Sequence, residues 1–282
     1  MDNDALSLKL HQKSFHNMVI IALFELIRVF KTRRGLATLA AFAVIWYFIL
    51  RYPISYAAEI IQTEGFKHQV SVMFGLVGIG GLLDWQVPEM AVYWVAALYI
   101  FPFFSLLLAA DQTSSDRSRG TLRFLVLRTS RDSLFFGRFL GQMLIQSIIV
   151  VLTLLATVLM ASWRDPQLFT VALNSAILIF INLFIVLLPF TALMAMLSAT
   201  FRSGKLATMM AIIGWGIISG LVTYLIFKFP EMKVLKDWLP GAQRMQLVRS
   251  EGWNTLHFTL VPLVQMLIFL FAGQQIMKRS SL

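Results

Sequence analysis

Apolar residues run along this chain in long unbroken blocks. Five stretches contain no Asp, Glu, Lys or Arg: Met90–Ala110, Phe139–Trp163, Pro166–Phe201, Leu206–Phe227 and Gly252–Met277. A hydrocarbon layer of about 30 Å takes roughly 20 helical residues to cross, so each block predicts a transmembrane helix. Gly35–Ala58 is a sixth, with Arg51 near enough to one end for its long side chain to reach the headgroups while its stem stays in lipid.

Before the first block the pattern becomes periodic. Phe15, Val19, Leu23, Leu26, Ile27 and Phe30 recur at helical spacing, with Glu25, Arg28 and Lys31 leaning to the other side. This predicts an amphipathic helix in the cytoplasmic interface, after which the chain turns into the bilayer near Lys31-Thr32-Arg33-Arg34. A plain basic flank of the first span is the alternative. No small-residue cleavage site follows, so the segment is expected to stay in the finished protein. The run Val70–Leu83 is short for a span and rich in glycine (Gly75, Gly78, Gly80, Gly81), and predicts a re-entrant or interfacial piece outside. Residues 228–251 mix charges with Trp238 and Leu239-Pro240-Gly241, and Trp253 follows, which predicts short helices resting on the outer surface.

The expected fold is therefore an all-α membrane protein. Residues 1–34 form a cytoplasmic N-terminus with the interfacial helix. Residues 35–282 form one six-span transmembrane domain, with a polar loop over 111–138 and an outer-surface loop over 228–251.

Composition agrees: 58% of the 282 residues are hydrophobic and 13% charged, against about 25% charged in soluble domains. Charge adds the orientation. With the N-terminus inside, the inner segments hold 16 Lys/Arg against 6 Asp/Glu and the outer ones 8 against 8, so one side carries the whole net charge of +10. That is the positive-inside bias, and it predicts both termini in the cytoplasm. Nucleic acid is not needed to explain the charge and is not an expected partner.

Several chemistries lack their residues. There is no cysteine, and the four histidines, His11, His16, His68 and His257, are scattered with no HExxH, so no metal site is expected. No GxSxG supports serine catalysis, and no GxxxxGK[ST] supports ATP binding by this chain. Ion-coupled carriers keep ionisable groups inside their spans, whereas polarity here comes from Gln142, Gln146, Asn174 and Asn182 and from hydroxyls such as Thr153 and Thr157. These amides are candidates for a substrate path, or for interhelical hydrogen bonds that hold the bundle together. Gly216 and Gly220 form a GxxxG that suits helix packing, within the subunit or between subunits. Energy for transport is then expected from a cytoplasmic ATPase.

The loop after the second span reads Asp111-Gln112-Thr113-Ser114-Ser115-Asp116-Arg117-Ser118-Arg119-Gly120-Thr121-Leu122-Arg123-Phe124-Leu125-Val126-Leu127-Arg128-Thr129-Ser130-Arg131 and ends at Gly137-Arg138. It is a polar turn followed by a short helix, with Leu122, Leu125 and Val126 on one face and Arg119, Arg123 and Arg128 toward water. The loop exceeds what a connection needs. It resembles the cytoplasmic loop of type-two ABC exporter permeases, a family that includes drug, peptide, polysaccharide and nitrous-oxide-reductase-maturation transporters. Asp111, Asp116, Gly120-Thr121-Leu122, Leu125 to Leu127, Ser130-Arg131 and Gly137-Arg138 match that pattern in order, although the proline usual before the Ser-Arg pair is absent and Arg138 stands for the usual Lys. Glu25, Arg28, Arg33 and Arg34 look like the family's amphipathic N-terminal helix. Leu239-Pro240-Gly241-Ala242-Gln243-Arg244 is similar to its segment before the last span.

The resemblance implies a permease subunit of an ATP-driven exporter in a bacterial plasma (inner) membrane. It pairs with a second permease subunit, identical or related, and with two copies of a cytoplasmic ABC ATPase that bind ATP and Mg. The coupling helix docks on that ATPase through a set drawn from Asp116, Arg119, Gly120, Thr121, Leu122, Arg123, Leu125, Val126, Arg128 and Arg131. Membrane lipid is the remaining partner. A non-transporting assembly or sensor subunit and a secondary transporter are the alternative readings.

Overall fold

Thr32 interrupts what would otherwise be one continuous helix. Its backbone is extended and its hydroxyl accepts from the Gly35 N–H at 3.2 Å, capping the first turn of the next helix. The bend is tight: a Cβ on Gly35 would lie 2.2 Å from the Val29 carbonyl oxygen, so only glycine fits. On one side is α1 (Asp2–Lys31), and on the other α2 (Arg33–Ile49), prolonged by a π turn over Leu50–Ile54 that contains Pro53. The computed structural model describes residues 2–57, 59, 85–250 and 252–279, and the side chains of all of these but 2–14 and 34. The predicted re-entrant run Val70–Leu83 lies outside the described residues.

The remaining described helices are α3 (Pro88–Leu108), α4 (Ser114–Ser118), α5 (Leu122–Arg128), α6 (Arg131–Arg164), α7 (Phe169–Thr200), α8 (Gly204–Lys228), α9 (Val234–Asp237), α10 (Arg244–Arg249) and α11 (Leu260–Arg279). No strand occurs among the described residues. Among the described residues, six helical segments, built on α2, α3, α6, α7, α8 and α11, are long and apolar enough to cross a membrane. They coincide with the six charge-poor blocks of the sequence, because a helix satisfies its own backbone hydrogen bonds where no water can.

At the centre, α7 packs against α11, α6, α3 and α8. The α2–α3 contact is aromatic: Phe42 meets Phe104 with centroids 4.3 Å apart, and Trp46 meets Tyr93 edge-on at 5.3 Å. Side-chain hydrogen bonds tie the other spans. Tyr93 and Thr153 hydroxyls are 2.9 Å apart, and those of Ser105 and Thr191 are 3.0 Å apart. At the C-terminus of α6, Arg164 Nε donates to Glu89 Oε1 at 2.7 Å and joins α6 to the start of α3. By contrast α8 buries only Ala207 and Ala211 and shows apolar side chains on the rest of its surface.

The α8–α11 connection departs from its expected place on the outer surface. Its Leu239-Pro240-Gly241 turn descends toward the middle of the bundle. A Cβ on Gly241 would lie 3.1 Å from Phe190 of α7, the Trp238 carbonyl accepts from Gln265 Nε2 of α11 at 2.6 Å, and the Arg244 guanidinium lies 5.1 Å from the Tyr99 ring centroid of α3. Tyr99 and Gln265 lie well inside their spans. The descent is possible because this backbone is buried in protein, where irregular structure is tolerated at membrane depth, and because Gly241, at φ 82°, supplies the reversal.

Candidate coupling site

The 111–138 loop is built around two short helices, α4 and α5, and a reversal at Gly120, whose φ of 70° suits glycine. The Thr121 hydroxyl holds the reversal by donating to Asp116 Oδ1 at 3.1 Å.

Beneath it lies Arg138, a buried cation near the base of α6 that serves three elements. Its Nη1 donates to the Gln112 carbonyl, its Nη2 to Asp116 Oδ2, and its Nε lies 3.6 Å from Glu25 Oε1 of α1. Glu25 also pairs with Arg28 at 3.1 Å, and Arg28 Nη2 donates to Ser115 Oγ of α4 at 3.0 Å. The planar guanidinium, with donors fixed in a fork, is the side chain able to join several acceptors at once.

Two more arginines close helix ends. Arg117 Nη1 donates to the Ala199 and Thr200 carbonyls at the C-terminus of α7, at 2.6 and 3.3 Å. Arg131 Nη1 donates to the Met277 and Lys278 carbonyls of α11, at 3.1 and 2.7 Å. Both donate to carbonyls in the last turn of a helix and oppose the negative end of its dipole. The loop is thereby fastened to α1 and to the adjoining ends of α6, α7 and α11.

The coupling residues named from the sequence separate into two faces. Leu122 is 2% exposed and joins the main apolar core, with Leu125 and Val126 packed against it. That face, expected from the sequence to dock on a partner, is turned toward the subunit itself, because the start of α6 offers it an apolar seat. Facing away are Arg119, Arg123 and Arg128 together with Phe124, 71% exposed, and Leu127, 84% exposed. Gly120 and Thr121 are also exposed.

In α1 the polar side is likewise turned inward. Glu25 is buried and Arg28 half-buried, while Phe15, Val19, Leu23, Phe24, Ile27 and Phe30 are exposed. The helix lies so close to α6 that a Cβ on Gly137 would meet Ile21 Cβ at 2.9 Å, and one on Gly141 would meet Glu25 Cβ at 2.8 Å. Gly137 and Gly141 are thus a GxxxG in use, a pair whose spacing was the signal and whose place at the edge of an apolar block concealed it. At Gly216 and Gly220 no atom lies within 4 Å of where a Cβ would stand. Arg33 is exposed, and the side chain of Arg34 lies outside the described ones.

The candidate path amides also separate. Gln146 Nε2 donates to Thr191 Oγ1 at 3.0 Å, and Asn182 Nδ2 to Thr255 Oγ1 at 2.8 Å, so both join helices. Asn174 is exposed on α7. Gln142 is buried with its Oε1 unpartnered among the described residues, and it lines a cavity of about 530 Å³ between α1, α2, α3 and α8, beside Arg28, Asp111 and Lys205. Among the described residues no group of His, Asp and Glu is placed to hold a metal ion.

A family model described as ABC-2 family transporter protein matches residues 18–271 of the chain. No curated protein matches it.

Proposed function

The chain belongs to the ABC-2 transporter family and is a transport membrane subunit, and on that premise we propose that it is the permease of an ATP-driven exporter whose ATPase is a separate polypeptide. The observation that carries this reading is the two-faced α5. Leu122 anchors the helix in its own subunit, while Phe124 and Leu127 stand in water among Arg119, Arg123 and Arg128. Large apolar side chains ringed by cations on a short, firmly seated helix suit a docking knob for a cytoplasmic partner. Arg138, Arg117 and Arg131 supply a stiff route from that knob to α1, α6, α7 and α11.

Two copies of the chain, or this chain and a related one, enclose the path. The thinly covered helices α2 and α8 flank the Gln142 cavity on the side where a second subunit fits. Each permease meets one ATPase, and the ATPase holds ATP and Mg. Export across a bacterial inner membrane, with both termini inside, is supported by the positive-inside distribution and the family pattern.

The test is co-expression with the neighbouring ATPase, followed by purification through the permease. Phe124→Asp with Leu127→Asp is expected to insert normally and lose the ATPase together with substrate-stimulated hydrolysis. Retention of a fully active ATPase by that variant refutes the proposal.

A further inference from the structure

A second cavity, of about 350 Å³, opens between the outer half of α8 and the descending turn. Its volume is within the range of about 300–1,000 Å³ usual for small-molecule sites. Two cations, Arg244 and Lys236, line it together with Trp215, and no carboxylate does.

Arg244 is the informative residue. Its Nε donates to the Gly241 carbonyl at 2.8 Å, and its guanidinium lies over Tyr99. These contacts hold the turn but use only one edge and one face of the group. The Nη atoms have no hydrogen-bond or ion-pair partner among the described residues, although Tyr99, beside them, lies midway along α3. A cation at membrane depth is costly unless an anion meets it, and such residues mark ligand sites more often than they serve structure. Lys236 makes no ion pair among the described residues, and the indole N–H of Trp215 has no acceptor there. Val222 and Ile226 of α8 and Leu239 of the turn add apolar lining, beside the hydroxyls of Ser219 and Thr223.

We propose that this cavity binds the anionic, phosphate-type headgroup of a membrane amphiphile, with the headgroup between Arg244 and Lys236 and the acyl chain along α8. The guanidinium offers paired donors to two phosphate oxygens, Lys236 contributes a mobile point charge at the rim, and Trp215 adds a neutral donor. The site is independent of the ATPase and of α5, so it stands or falls separately from the exporter reading.

The chain has no cysteine, so Ser219→Cys places a single thiol in the cavity wall, and Ser118→Cys in the cytoplasmic loop is its control. The full-length protein in a neutral detergent is titrated with short-chain phosphatidylglycerol, phosphatidylcholine or inorganic phosphate, and the rate of maleimide alkylation is followed. Phosphatidylglycerol is expected to protect the thiol at position 219, and not the one at position 118, at concentrations about tenfold below phosphatidylcholine, the scale of one charge-assisted hydrogen bond. Arg244→Gln should abolish the preference, Arg244→Lys should keep most of it, and Lys236→Gln should reduce it several-fold. Lys236 is exposed at the rim, so its variant reports even if Arg244→Gln does not fold. Equal protection by both lipids, equal protection of the control thiol, or a preference that survives Arg244→Gln and Lys236→Gln overturns the proposal. Protection by inorganic phosphate alone at the same concentration makes the site one for a free anion and overturns the amphiphile.

Discussion

Arg138 and Asp116 form an ion pair near the base of α6, and the same guanidinium faces Glu25 of α1. Helix α1, the 111–138 loop and α6 therefore meet at one buried charge. Removing it leaves Asp116 without its cation and Glu25 with Arg28 alone, and breaking a buried pair typically costs about 3–5 kcal/mol. Arg138→Ala is expected to lower the thermal midpoint of the purified subunit by several degrees. Arg138→Lys should fall between it and the parent, because an ammonium cannot span the acceptors that the fork reaches. An unchanged midpoint in Arg138→Ala would show that the network contributes nothing to stability.

The two GxxxG pairs should respond in opposite ways. Gly141→Ala drives a methyl against Glu25 Cβ and the Ala22 carbonyl, an overpacking that costs about 1–3 kcal/mol. Limited proteolysis should then release α1 sooner. Gly216→Ala meets open space and should leave the isolated subunit unaffected, so any effect it has on assembly reports a contact with a second chain.

Leu122→Asp and Leu127→Asp test the two faces of α5. The first buries a carboxylate in the subunit's own core, which costs several kcal/mol, and should reduce the yield of inserted protein. The second changes an exposed position and should leave yield intact while weakening retention of the ATPase. Equal yields for the two would contradict the inward placement of Leu122.

Sidedness is open to single thiols in this cysteine-free chain. Ser118→Cys is expected to react with an impermeant maleimide only after the cells are opened, and Gln167→Cys, exposed at the α6–α7 turn, in intact cells. Reaction of the thiol at position 118 in intact cells reverses the topology.

The spans were legible because their signal is composition over some twenty residues, which no tertiary contact can override in lipid. The direction in which a helix faces was less so. Glu25 and Arg28 have the pattern of a water-facing side, but Glu25 faces Arg138 and Arg28 bonds to Ser115, so the protein interior is their polar environment and Phe24 and Ile27 are left on the exposed side. Leu122 and Leu127 are indistinguishable by residue type, and only the position of α6 decides which is core. Gly137 and Gly141 carry the same spacing as Gly216 and Gly220, yet they straddle the boundary between the polar loop and the third span, where a packing motif does not stand out. The descent of the α8–α11 turn leaves only Gly241 and a proline as traces, signals that any surface turn shares.

The docking of α1 on α6 also sets an order of events during synthesis. Glu25 leaves the ribosome first, and its seat at Gly141 follows roughly a hundred residues later, on the order of ten seconds at ordinary elongation rates. Until then Glu25 has Arg28 beside it but not Arg138. Synthesis of α6 brings Arg138 to Glu25 and lays Gly137 and Gly141 against α1. The polar face of α1 is therefore covered only after α6 has been made.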